Sequence, residues 1–126
     1  MKKIVLTIAI ALFAMVGFGQ EVQTTYYKNG KVKSTEYTVD NKIERIDYFK
    51  NGRIKQIAHF EDGKLNGKWM AYDRKERLVS QGEYEAGNKV GVWLEYDKAQ
   101  KKVYEVTYNA NQKMDEKEWA REKERF

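Results

Sequence analysis

The chain has 126 residues, no cysteine, no proline and a single histidine, with a formal net charge of +5 and 34% charged residues. Without cysteine there is no disulfide or thiolate chemistry and no lipid-modified N-terminal cysteine, and one histidine excludes paired-histidine metal and nucleotide motifs. Charges of both signs are interspersed, which describes a salt-laced soluble surface and not a basic groove for nucleic acid.

Residues 1–19 come first. Lys2 and Lys3 precede an apolar run from Ile4 to Val16 broken only by Thr7, and Gly17-Phe18-Gly19 places small residues at the −3 and −1 positions before Gln20. This is the layout of a secretory signal peptide, and the run is short of the roughly 20 residues that span a bilayer. The expectation is an exported protein, periplasmic or secreted, that meets the membrane only through its transient leader. Loss of Lys2 and Lys3 lowers the net charge from +5 to +3.

Residues 20–112 carry one pattern four times. Tyr26-Tyr27-Lys28-Asn29-Gly30-Lys31-Val32 is echoed by Tyr48-Phe49-Lys50-Asn51-Gly52-Arg53-Ile54, then in altered form from Tyr72 and from Tyr96. The leading tyrosines are 22, 24 and 24 residues apart, the period of a stacked repeat. Asn29-Gly30 and Asn51-Gly52 read as two-residue hairpin turns. Asp40-Asn41, Asp62-Gly63 and Gly87-Asn88 read as weaker ones, and Lys75-Glu76, Ala99-Gln100 and Asn111-Gln112 stand at matching places. The intervening runs are rich in Tyr, Ile, Val, Thr and Trp. The fold class is therefore all-β: an antiparallel meander of about eight strands, curled as a single sheet. The strands are expected near 22–28, 31–39, 42–50, 53–61, 64–73, 77–85, 89–97 and 101–109.

Tight turns also set the register. Pairing Phe49 with Ile54 and Phe60 with Leu65 gathers Val32, Ile43, Ala58, Trp69, Tyr84, Trp93, Val106 and Tyr108 on one core face. Gly67, Gly82 and Gly91 join that face and leave room for the indoles. Tyr26, Tyr48, Tyr72 and Tyr96 fall on the other face with Lys33, Lys55, Lys68 and His59. Residues 113–126 read as a capping helix: Asp115 caps it, acids begin it, Arg125 closes it, and Trp119 and Phe126 share a side.

Gly67-Lys68-Trp69-Met70-Ala71-Tyr72 recurs as Gly91-Val92-Trp93-Leu94-Glu95-Tyr96. With the Tyr-x-x-Asn-Gly turns, this resembles the membrane-occupation-and-recognition-nexus (MORN) repeats, in the bacterial variant often labelled a YwqK-type antitoxin component, over about residues 26–110. The resemblance implies a repeat β fold and a binding role. In the first unit Glu44-Arg45-Ile46 stands where Gly-x-Trp belongs, and the fourth lacks the element as well.

Chemistry is sparse. His59 lies between Ala58 and Phe60 without a second histidine or a cysteine to work with, and no Gly-x-Gly-x-x-Gly or Walker-type loop is present. Glu83, Glu85, Asp47, Asp73, Glu95 and Asp97 lie among lysines and arginines, the setting of solvated surface charge and not of a desolvated catalytic pair. No catalytic, metal or cofactor site is expected. Tyr26, Tyr48, Tyr72 and Tyr96, rigid and amphipathic, are the candidate binding row, and Gly67, Trp69, Gly91 and Trp93 are structural. The leading reading is an exported non-enzymatic binding or scaffold module of the cell envelope, with a protein or envelope component as partner. The alternatives are an antitoxin-like partner of a toxin, and an array that associates with itself through its sheet edges or with a lipid surface.

Overall fold

The computed structural model describes residues 5–9, 20–98 and 101–120. All of its regular structure is strand: β1 (Val5–Ala9), β2 (Glu21–Tyr26), β3 (Val32–Val39), β4 (Lys42–Tyr48), β5 (Ile54–Glu61), β6 (Lys64–Leu65), β7 (Gly67–Tyr72), β8 (Leu78–Glu85), β9 (Asn88–Asp97), β10 (Lys102–Asn109) and β11 (Gln112–Ala120). They form one open antiparallel meander in the order β1-β2-β3-β4-β5-β7-β8-β9-β10-β11, with β6 paired to β5. Ten strands lie on this path in place of the eight expected. Within the expected leader, Val5–Ala9 lies antiparallel on β2, with Thr7 opposite Gln23.

Two kinds of turn alternate. Residues 40–41, 62–63, 86–87 and 110–111 are two-residue loops, closed by Val39↔Lys42, Glu61↔Lys64, Glu85↔Asn88 and Asn109↔Gln112. Three of them take positive φ at both central residues, as at Asp62 (51°) and Gly63 (77°), the twist that suits a hairpin. The other turns differ from expectation. Phe49 N–H donates to Arg53 O at 2.8 Å and Gly52 N–H to Phe49 O at 3.0 Å, with the same pair of bonds at Tyr27–Lys31 and Asp73–Arg77. These are three-residue loops in which only the third residue is left-handed: Gly30 (87°), Gly52 (89°) and Glu76 (64°). Asn51 is thus not a left-handed turn centre. Its Oδ1 accepts Arg53 N–H at 2.9 Å, and Asn29 does the same for Lys31 at 3.0 Å. The pairing slips only beside the turn, where Tyr48, not Phe49, stands opposite Ile54; from Lys42↔Glu61 to Asp47↔Gln56 the ladder keeps the expected register, and Phe60↔Leu65 holds as well.

The expected C-terminal helix is a strand. Ala110-Asn111 turns the chain with φ of 48° and 71°, 24 residues after Ala86-Gly87, and β11 pairs with β10 from Asn109↔Gln112 to Lys102↔Ala120. The helical propensity of the Glu/Lys run is a weak prior, and an isolated helix of about 12 residues is marginal in water. The ladder instead satisfies the backbone of β11, and Lys102 Nζ meets Glu118 Oε1 at 2.6 Å across it. Residues 121–126 of the expected helix lie outside the described residues.

Because the sheet is a single layer, burial falls on both faces. Ala58, Trp93 and Val106 are buried on the face expected to hold the core, but Val22 and Val103 are buried on the other. Most remaining large apolar side chains are half-buried.

Candidate functional site

The two Gly-x-Trp elements build the same device. In both, two residues more than the facing strand supplies are inserted: 66–69 lie against 58–59, and 91–93 against 82, between flanking regular pairs. Gly67 (φ 109°) and Gly91 (φ 70°) make these bulges, conformations that side chains other than glycine resist. Asn66 N–H anchors the first by donating to His59 O at 2.8 Å.

The bulges set a row across one face. Glu36↔Arg45, Arg45↔Ala58, Trp69↔Gly82 and Trp93↔Val106 are register partners, and Ala58 and Gly82 face the bulges that carry Trp69 and Trp93. Alternate strands of a sheet lie about 9.6 Å apart. The rings of Trp69 and Trp93, on β7 and β9, nevertheless approach to 5.5 Å. They meet over β8, and Gly82 makes that possible: a Cβ there would lie 2.0 Å from Trp93 Cδ2. Tyr84 stands edge-on to Trp93 at 5.1 Å and Tyr108 at 6.2 Å. Trp93 Nε1 donates to Glu83 O at 3.2 Å. Burial, with Tyr108 beside it, pushes the Tyr84 hydroxyl above its ordinary pKa. Lys89 Nζ lies 4.5 Å from the Trp93 ring centre and 5.0 Å from that of Tyr108, an attraction of a cation to the ring faces. Lys89 escapes a motif reading; it stands where the preceding unit has Leu65, so only the repeat alignment points to it.

The tyrosine row is less free than its periodicity suggests. Tyr26, Tyr48, Tyr72 and Tyr96 are all half-buried, and each stands opposite an aliphatic residue: Val32, Ile54, Leu78 and Val103. Tyr72 Oη lies 3.6 Å from Met70 Sδ. A polar link between units is made by the residue after the first tyrosine, where Tyr27 Oη donates to Tyr48 O at 2.6 Å and joins the first unit to the second.

His59 is held between two acceptors. Its Nδ1 lies 2.7 Å from Lys68 O and its Nε2 3.0 Å from Glu44 Oε2, so both ring nitrogens are engaged. The acids are engaged locally. Asp47 accepts Arg45 Nε at 3.1 Å, and Glu95 lies 3.9 Å from Lys89. Burial raises the Asp73 pKa, but the backbone and guanidinium of Arg77 and the backbone N–H of Lys75 outweigh it and hold the carboxyl below its ordinary value. Among the described residues no three His, Asp or Glu side chains cluster as metal ligands.

Two shallow grooves open beside the bulges. One, of about 320 Å³, is lined by Lys68, Met70, Gln81, Glu83 and Val92, with Trp69 and Gly82. The other, of about 260 Å³, is lined by Lys42, His59, Glu61, Asn66, Gly67 and Lys68, with Ile43 and Phe60. Both lie mainly on the tyrosine face, one unit apart. Lys68 borders both, and Val92, its counterpart in the next unit, is 55% exposed.

No family model matches the chain, and no curated protein matches it. Among solved structures it is similar to a crystal structure of an S. aureus TarM mutant in complex with fondaparinux, alpha-GlcNAc-glycerol and UDP, with a TM-score of 0.50 and 9% identity over 73% of this chain and 19% of that one. It is also similar to a crystal structure of TarM, with a TM-score of 0.49 and 9% identity over 74% and 19% of the two chains. The chain spans about a fifth of their length, and at this identity the first likeness is one of fold.

Proposed function

We propose that this protein is an exported, non-enzymatic binding or scaffold module of the cell envelope, built on MORN-type repeats. One observation carries the reading: two successive units present the same bulge, each with a groove beside it, on the same face of one sheet. Repeat arrays use such surfaces to hold extended partners. The linings mix Lys42, Lys68, Glu61 and Glu83 with Met70, Val92 and Phe60, a chemistry that suits a polypeptide segment of mixed charge. The lysine-flanked apolar leader of residues 1–19 supports export. Against an enzyme stand the engagement of His59 with Lys68 and Glu44 and the local ion pairs of Asp47, Asp73 and Glu95.

The test is capture of a partner from an envelope fraction by the processed chain. Lys68→Glu with Val92→Glu alters exposed groove residues and leaves the aromatic cluster intact, and is expected to abolish capture. Tyr48→Phe, Tyr72→Phe and Tyr96→Phe together keep the rings and remove the hydroxyls, and report on the tyrosine row separately. A folded double-glutamate variant that still captures the same partner refutes the groove. Fractionation and the N-terminal mass of the recovered protein test export.

A further inference from the structure

The two ends of the meander are built differently. β11 presents Lys113, Asp115, Glu116, Lys117 and Glu118, all exposed, and charge of this density on an edge strand repels a further strand. β2 has no such guard. Glu21 is its single charged residue in the run Glu21–Tyr26, while Val22 and Thr24 are buried to 6% and 9% exposure. The edge of β2 is covered by β1, across Val5↔Thr25, Leu6↔Thr24, Thr7↔Gln23, Ile8↔Val22 and Ala9↔Glu21. β1 belongs to the segment that reads as a leader, so processing before Gln20 strips the cover from an unguarded edge.

We infer that in the processed protein the edge of β2 pairs with β2 of a second copy, antiparallel about a twofold axis at Gln23. This rests on the leader being removed. The stretch that β1 covers, Glu21–Thr25, is centred on Gln23, so a second copy of that stretch fits the same register. Gln23 then faces Gln23 of the second copy, Val22 faces its Thr24, and Glu21 faces its Thr25. Val22 takes the place of Leu6 opposite Thr24, Thr24 that of Ile8 opposite Val22, and Gln23 that of Thr7. β-Branched residues meet on one face, polar residues meet on the other, and no like charges stand opposite one another. The pairing closes on itself, since a twofold contact consumes both unguarded edges and leaves only the charged β11 edges outside.

The test begins with the full chain expressed with its leader, recovered after export, its N-terminus read by mass spectrometry, and its mass followed by sedimentation over a concentration series. A protein beginning at Gln20 is expected to show a monomer–dimer equilibrium that stops at the dimer. Gln23 is exposed, so Gln23→Lys and Gln23→Glu leave the fold intact while setting like charges face to face at the axis. Each is expected to weaken the dimer at least tenfold, and an equal mixture of the two to restore it. A folded, monomeric processed protein overturns the inference, as does a mixture that fails to restore association. Growth beyond the dimer overturns it as well, pointing to β2 pairing with β11 of the next copy. A recovered protein that still begins at Met1 sinks the leader reading alone. In that form β1 covers the edge, a monomer is expected, and the same series on a chain begun at Gln20 decides the pairing.

Discussion

Replacing Gly82 with alanine adds one methyl group at the point where the sheet has no room for it. The new Cβ would lie 2.0, 2.1 and 2.5 Å from Trp93 Cδ2, Cε2 and Cγ, where ordinary contact begins at 3.4 Å. The indole must therefore retreat by about 1.4 Å. Trp69 blocks one direction at 5.5 Å, and Tyr84 and Tyr108 close the sides. The remaining movement lifts a ring that is 1% exposed into solvent and lengthens its bond to Glu83 O. Overpacking alone costs about 1–3 kcal/mol, and uncovering some 50 Å² of indole adds about 1 kcal/mol. The expected loss is about 3 kcal/mol, or roughly 12 °C or more in Tm for a domain of this size. Urea unfolding followed by tryptophan fluorescence and far-ultraviolet dichroism measures it. The decisive control is Gly82→Ala in a Trp93→Leu background. With the clash removed, alanine suits a strand better than glycine, and the substitution is expected to be neutral or to stabilise by about 0.5 kcal/mol. A single Gly82→Ala protein within about 0.5 kcal/mol of the parent refutes the account of the cluster.

Three further outcomes follow from the same geometry. Asp73→Asn removes the anion that braces the third unit's loop, at an expected cost of about 1–2 kcal/mol at neutral pH. Because the folded carboxyl is depressed from 3.8, its contribution is present above that value and fades as pH falls through the lower folded pKa, so the parent and variant stability curves should merge in acid and not in base. Lys89→Ala should cost about 1 kcal/mol through loss of the contacts to Trp93 and Tyr108, and the part of that cost that fades with added salt reports the Glu95 ion pair, which Glu95→Gln removes on its own. Hydrogen exchange across residues 112–118 should protect alternate amides, as in an edge strand bonded on one side; uniform protection beyond the first turn would restore a helix there.

The period, most strands and the faces of the mid-strand residues were legible because a sheet repeats every two residues and the turns are marked by Asn, Asp and Gly; next to the three-residue loops they were not, since Val32, Ile54 and Leu78 stand opposite Tyr26, Tyr48 and Tyr72 and not on the face away from them. The form of the turns was not. Asn-Gly is compatible with both a two-residue and a three-residue hairpin loop, and the choice rests on whether asparagine spends its side chain on the backbone, as Asn29 and Asn51 do. The third unit uses another brace for the same loop: Asp73 accepts from Lys75 N, Arg77 N and Arg77 Nε, which lets Glu76 hold the left-handed place of glycine. β11 was hidden because its Lys/Glu composition favours a helix locally, and only the 24-residue spacing of Ala110-Asn111 from the preceding turn argues for another hairpin. Of the candidate site, Gly67, Trp69, Gly91 and Trp93 were visible as a motif. Ala58, the small counterpart of Gly82, and Lys89 acquire meaning only from register.

That register explains why the first unit can lack tryptophan. Along the row, large and small side chains alternate from strand to strand: Arg45, Ala58, Trp69, Gly82, Trp93. A change at one place must be answered at its neighbour. Where the later units set an indole beside alanine or glycine, the first sets Arg45 against Glu36 at 3.6 Å and Asp47 at 3.1 Å. The exchange is not equal in energy. Arg45 and Glu36 side chains are 42% and 29% exposed, and a pair of that kind contributes about 0–1 kcal/mol, while a buried tryptophan contributes about 3–5 kcal/mol measured by truncation. Stability is therefore graded away from the aromatic cluster, highest around β7 to β9 and lower in the first unit, so β2 and β3 should open before β8 and β9. Exchange of β2 and β3 amides is expected to precede that of β8 and β9 by orders of magnitude. Equal protection along the sheet would mean that the aromatic cluster is not what holds it.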